Sequence, residues 1–161
     1  ALQVFGIVLS DKAILDVGAS TGGFTHCALL NGAARVYAVD VGYGQLDWSL
    51  RQDRRVVSLE RKNARYLEKT DVPEQVDVIT IDVSFISLGK ILPHLASFLK
   101  EGGLVIALIK PQFEAGRDKV GRKGVVKDPE VHRDEIGGIL NARWEIGFVP
   151  RGLSFSPVTG P

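Results

Sequence analysis

Asp82 and Lys110 are the two residues of this sequence best suited to run a reaction. Each is a charged side chain that follows an apolar run, 76–81 for the aspartate and 104–109 for the lysine. If both runs are strands of one open sheet, the carboxylate and the amine stand side by side at its ligand end. They then form either a working acid–base pair or a plain structural ion pair.

A second group of residues suits ligand binding. The segment Asp16-Val17-Gly18-Ala19-Ser20-Thr21-Gly22-Gly23-Phe24-Thr25 carries glycines where a strand would turn into a helix. Glycine lets a backbone turn sharply and lets a ligand approach its peptide groups. The spacing is Gly-x-x-x-Gly-Gly rather than the Gly-x-Gly-x-x-Gly of dinucleotide loops. An acid ahead of the first glycine is a poor neighbour for a pyrophosphate. It better suits a ligand with positive charge, such as the sulfonium and amino group of S-adenosylmethionine. The candidate contacts in this loop are Asp16, Gly18, Ser20, Thr21, Gly22, Gly23 and Phe24, and a plain strand–helix turn is the alternative. Asp40 follows the loop by about 20 residues, where nucleoside-binding α/β domains place an acid on the ribose hydroxyls. Glu60 and Asn63 are candidates for the adenine edge, with a purely structural role as the alternative for both.

These positions require strands at 13–17, 35–40, 56–60, 76–82 and 104–109, with a weaker one at 153–155. Helical patterns lie between them at 23–31, 45–52, 87–100 and 129–146. Ser87 supplies a start signal and Gly102-Gly103 a stop signal for the third of these helices. Near-continuous apolar strands separated by helices predict one α/β domain, a doubly wound and mainly parallel sheet with right-handed crossovers.

The bulk numbers agree with a single globular domain: 161 residues, 45% apolar, 24% charged. The longest apolar stretches fall far short of the roughly 20 residues that span a bilayer. One cysteine excludes an internal disulfide framework, which fits a reducing, cytoplasmic setting. Cys27 is expected to face the core. The three histidines are scattered without ligand spacing, so no metal site is expected. A net charge of +1 does not announce a nucleic-acid partner. The distribution is more telling, because Lys110, Arg117, Lys119, Arg122, Lys123 and Lys127 face only Glu114 and Asp118. That run is either a solvated loop or a grip on phosphates. The chain holds no methionine, opens within a helical pattern and stops without a closing element, so it reads as a fragment.

Four stretches resemble one family: Leu15 to Thr25, Asp40 to Leu46, Asp82 to Leu88, and Lys110-Pro111-Gln112-Phe113-Glu114-Ala115-Gly116. It is the TlyA (hemolysin A) family of ribosomal RNA methyltransferases, allied to the FtsJ-type ribose methylases. The similarity runs over nearly the whole chain, His26 departing where the family has an acid. The resemblance implies a Rossmann-like class I S-adenosylmethionine-dependent methyltransferase fold. It also implies methylation of ribose 2′-hydroxyls, those of cytidines, in ribosomal RNA or ribosomal subunits. Of the FtsJ-type Lys–Asp–Lys–Glu tetrad, Asp82 and Lys110 carry over, Asp82 also bordering the cofactor. The first lysine should precede Ala1 and the glutamate should follow Pro161. An N-terminal RNA-binding domain is implied, for which this chain has no residues. The resemblance also favours Arg117, Lys119, Arg122, Lys123 and Lys127 as RNA contacts.

The chemistry is consistent with these roles. A ribose hydroxyl is a weak acid, so its attack on a methyl group needs a base or support for a developing alkoxide. Lysine is a poor base near its usual pKa of about 10.4, and burial or a second cation would lower that value. The alternatives are a nicotinamide-dependent oxidoreductase, a non-catalytic RNA-binding scaffold and a membrane-lytic protein. The glycine spacing and Asp16 argue against the first. The scaffold needs no Asp82–Lys110 pair, and the lytic protein needs a long apolar or amphipathic segment that the sequence lacks.

Overall fold

Five apolar, β-branched segments pair into one parallel sheet in the order β3-β2-β1-β4-β5. The computed structural model describes residues 1–114, 126, 128–141 and 147–157. The strands are β1 (Ala13–Val17), β2 (Arg35–Val39), β3 (Val56–Leu59), β4 (Val76–Ile81) and β5 (Leu99–Ala107). The helices are α1 (Leu2–Phe5), α2 (Gly23–Leu30), α3 (Trp48–Gln52), α4 (Leu88–Leu95), α5 (Pro111–Glu114) and α6 (Pro129–Asn141). All four strand pairings are parallel.

Side chains alternate across the sheet, so each strand feeds two cores. On one face Leu15, Val17, Tyr37, Val39, Ile79 and Ile81 pack with Leu88, Ile91, Leu92 and Leu95 of α4. On the other Ile14, Val36, Ala38 and Val78 pack with Ala28 and Leu29 of α2 and Leu50 of α3. A sheet covered on both faces accounts for strands that read as continuous apolar runs. The doubly wound α/β architecture expected from the sequence is the one observed.

Several boundaries differ from expectation. The helix expected over 87–100 ends at Leu95, turns once as a 3-10 helix (Ala96–Phe98), and gives way to β5 at Leu99. Leu99 pairs with Val76 and Leu104 pairs with Val78, so the residues between them form a bulge. Gly102, at φ 73°, therefore bends a strand rather than stopping a helix. The helix expected over 45–52 begins at Trp48, where Asp47 accepts the Ser49 N–H at 2.8 Å as its N-cap. The strand expected at 153–155 is absent: no ladder partner is present there among the described residues, and Phe155 is exposed. Cys27 is exposed, because Thr25, Ala28 and Leu29 form the buried side of α2.

Candidate functional site

The loop after β1 is built against its neighbours. Gly18 adopts φ 84°, and a Cβ there would lie 2.3 Å from the Asp82 carbonyl oxygen. Only glycine lets the ends of β1 and β4 approach this closely. Gly22 adopts φ 101° at the start of α2, where a Cβ would strike Leu50 at 2.2 Å. Ser20, Thr21, Gly23 and Phe24 are exposed, and Ser20 holds a left-handed φ of 49°.

Asp16 lies below this loop rather than in it. It is 1% exposed and pairs across the sheet with Thr80. Its two oxygens accept the Thr25 hydroxyl at 2.6 Å and the Thr80 hydroxyl at 2.8 Å. Burial pushes its carboxyl above the usual carboxylate range, partly offset by those hydrogen bonds. The buried side chain thus ties α2 to β4.

Asp40 stands just past β2. Its carboxylate accepts the Ser20 N–H at 2.8 Å and the Gly42 N–H at 2.7 Å. Three more N–H groups of the loop are occupied: Gly18 and Ala19 donate to the Val39 carbonyl, and Gly22 donates to the Ala19 carbonyl. A diphosphate needs such groups free. This loop offers instead a fixed, half-buried carboxylate, which suits hydroxyls or a cation. Glu60 accepts the Gly44 N–H at 3.1 Å and pairs with Arg51, bracing the turn after β2. Asn63 caps the 3-10 turn Ala64–Tyr66 by accepting the Arg65 N–H at 3.0 Å. Both have structural partners, and Asn63 remains exposed at the rim.

At the other side of Gly18, β4 and β5 run parallel and deliver Asp82 and Lys110 to one point. Lys110 Nζ lies 2.6 Å from Asp82 Oδ1 and 3.2 Å from the Ser84 hydroxyl. Asp82 Oδ1 is fully buried, and the ammonium approaches it off the hydrogen-bond direction. The contact is a charge pairing with an acceptor direction left over. Three contacts hold the segments on either side together. Besides the ion pair, the Phe85 and Phe113 rings sit 5.0 Å apart, and Glu114 accepts the Leu88 N–H at 2.9 Å.

Phe85 is a residue the sequence reading passed over. It is 90% exposed beside Ser84 and held at φ 66°, a conformation costly for a bulky residue. Backbone strain of this kind concentrates at functional sites. Its sequence signals were an aromatic three residues after an expected strand end and its place in the stretch Asp82 to Leu88. Arg117, Lys119, Arg122, Lys123 and Lys127 lie outside the described residues. Among the described residues no group of His, Cys, Asp and Glu is arranged to hold a metal.

Comparison with known proteins adds an independent line. Residues 1–161 match the family described as FtsJ-like methyltransferase. YqxC of Bacillus subtilis is 53% identical over 161 residues, covering 99% of this chain and 57% of that protein. The 16S/23S rRNA (cytidine-2′-O)-methyltransferase TlyA of Mycobacterium tuberculosis is 46% identical, covering 100% and 60% respectively. A solved Lactococcus lactis structure, described as a hemolysin, superposes with a TM-score of 0.94 at 48% identity. It covers 99% of this chain and 77% of its own.

Proposed function

The chain belongs to the FtsJ-like methyltransferase family, and from that membership we propose that it transfers a methyl group from S-adenosylmethionine to ribose 2′-hydroxyls of ribosomal RNA. It spans 57–60% of the length of two of its relatives, so we assign it the catalytic domain of such an enzyme. Cytidine as the target follows the activity named for TlyA. The observation that carries the reading is the Lys110–Asp82 pair at 2.6 Å, on the strand end packed against the glycine loop.

The residues present fit the cofactor. Asp40 is positioned by two backbone N–H groups, leaving lone pairs for ribose hydroxyls. Ser20, Thr21, Gly23 and Phe24 line the open side of the loop. The carboxylates of Asp40 and Asp82 favour a ligand with positive charge. When bound, the cofactor supplies an electrophilic methyl on a sulfonium. The chain's part is to align a ribose oxygen with that carbon and to take up the hydroxyl proton. In this reading Lys110 would take up the hydroxyl proton as the ribose oxygen receives the methyl that the bound cofactor would supply. Asp82 then holds the resulting ammonium. Phe85 offers an exposed ring beside this point for a nucleobase to stack on. The segment 115–127, rich in lysine and arginine, would follow RNA phosphates.

Calorimetry tests the cofactor, and transfer of labelled methyl to separated ribosomal subunits tests the substrate. S-adenosylhomocysteine should bind and NAD should not. Binding of NAD alone would favour an oxidoreductase. Cofactor binding that survives together with full methyl transfer after Lys110→Ala would remove Lys110 from the chemistry.

A further inference from the structure

At the edge of the sheet away from Lys110, two arginines lie on two exposed tyrosines. Tyr43 follows β2, Tyr66 follows β3, and they are 68% and 65% exposed. Arg61 Cζ sits 4.2 Å from the centre of the Tyr43 ring, and Arg65 Cζ sits 5.6 Å from that of Tyr66. Neighbouring charges are already matched, Arg51 by Glu60 and Lys62 by Asp71. Among the described residues, neither Arg61 nor Arg65 has a carboxylate within ion-pair distance.

The backbone beneath them is fixed. Arg61 holds φ 53°, and its N–H donates to the Gly42 carbonyl at 2.9 Å. The Arg65 N–H is held by Asn63 at 3.0 Å. Two uncompensated guanidinium groups on aromatic faces leave their N–H edges free for phosphate, and leave ring surface free for bases. An acidic protein surface would use the charges but not the rings. The segments lie at the carboxyl ends of β2 and β3, the same end of the sheet as Lys110. Four inter-strand steps of about 4.8 Å separate β3 from β5, roughly 19 Å. A folded RNA whose target nucleotide reaches Lys110 could rest its flank here.

We propose that Arg61 and Arg65, backed by Tyr43 and Tyr66, form a second RNA contact surface across the cofactor crevice from the catalytic pair. The proposal rests on the reading of RNA as substrate. It is tested by binding of the chain to purified small and large ribosomal subunits over a potassium chloride series. S-adenosylhomocysteine affinity is measured in parallel. The double variant Arg61→Gln/Arg65→Gln should bind more weakly. Its log–log salt dependence should be shallower by about 1.4 to 1.8, for two lost phosphate contacts. Cofactor affinity should not change. Arg61→Lys/Arg65→Lys should restore the salt dependence. Unchanged affinity and slope in the glutamine variant, with subunit binding by the parent intact, would overturn this surface alone. Loss of cofactor affinity with RNA binding intact would assign the arginines to the cofactor rim and overturn it too. A parent chain that binds S-adenosylhomocysteine but neither subunit would overturn both this surface and the RNA reading.

Discussion

Lys110 owes its setting to Asp82 and Ser84, and its removal should separate chemistry from binding. Lys110→Ala is expected to lower methyl transfer by about 100-fold or more, the usual scale for a positioned proton acceptor. Its affinity for S-adenosylhomocysteine should stay within about twofold of the parent's, a change worth under about 0.5 kcal/mol. Single-turnover transfer and calorimetry read the two separately. Asp16 makes a different prediction. Its pKa is raised by burial, so the folded chain holds this proton more tightly than the unfolded chain. The stability this lends is full below the unfolded value of 3.8 and is lost as pH rises through the folded value. Urea unfolding of the parent and Asp16→Asn should therefore diverge as pH rises through that window, in favour of the variant. A difference that does not vary with pH would refute the buried-charge account. Sequence made the strand-end position of Asp16 legible but not its orientation, because only the fold places Thr25 and Thr80 on its two oxygens. Cys27 was misjudged for a related reason: one helical step decides between the core and solvent.

The segment around α5 acts as a brace between the strand ends that carry Asp82 and Lys110. Lys110 meets Asp82, Phe113 meets Phe85, and Glu114 accepts the Leu88 N–H at the start of α4. Glu114→Ala should slow methyl transfer by about an order of magnitude, since small misplacements of reacting groups are costly. Cofactor affinity should be spared. Glu114→Gln, which keeps a carbonyl acceptor for the N–H, should recover most of the rate, and equal loss in both variants would contradict the brace. The short strands were readable because buried parallel strands leave an uninterrupted apolar signature. The helix-to-strand passage near Leu99 was not, because Gly102-Gly103 resembles a helix stop and only pairing with β4 makes it a bulge. The expected strand at 153–155 failed for the complementary reason, an apolar pattern with no partner strand to receive it.

For the chain as a whole, the sheet brings the carboxyl ends of β2, β1 and β4 side by side. Ligand binding there should stabilise the fold by mass action. At S-adenosylhomocysteine concentrations about 100 times its dissociation constant, unfolding should cost about 2.7 kcal/mol more, with no such gain from NAD. Thermal unfolding reads this directly. Among the described residues no helix is long and apolar enough to cross a membrane, so the hemolysin description of a relative finds no spanning helix here. The central claim is geometric and is best tested by a crystal structure of the chain with S-adenosylhomocysteine. The account predicts the ligand's ribose hydroxyls on Asp40 and its sulfur aimed toward Lys110. A methyl on that sulfur would then sit within about 3.5 Å of an oxygen position hydrogen-bonded to Nζ. A ligand seated elsewhere, or a sulfur turned away from Lys110, would contradict it.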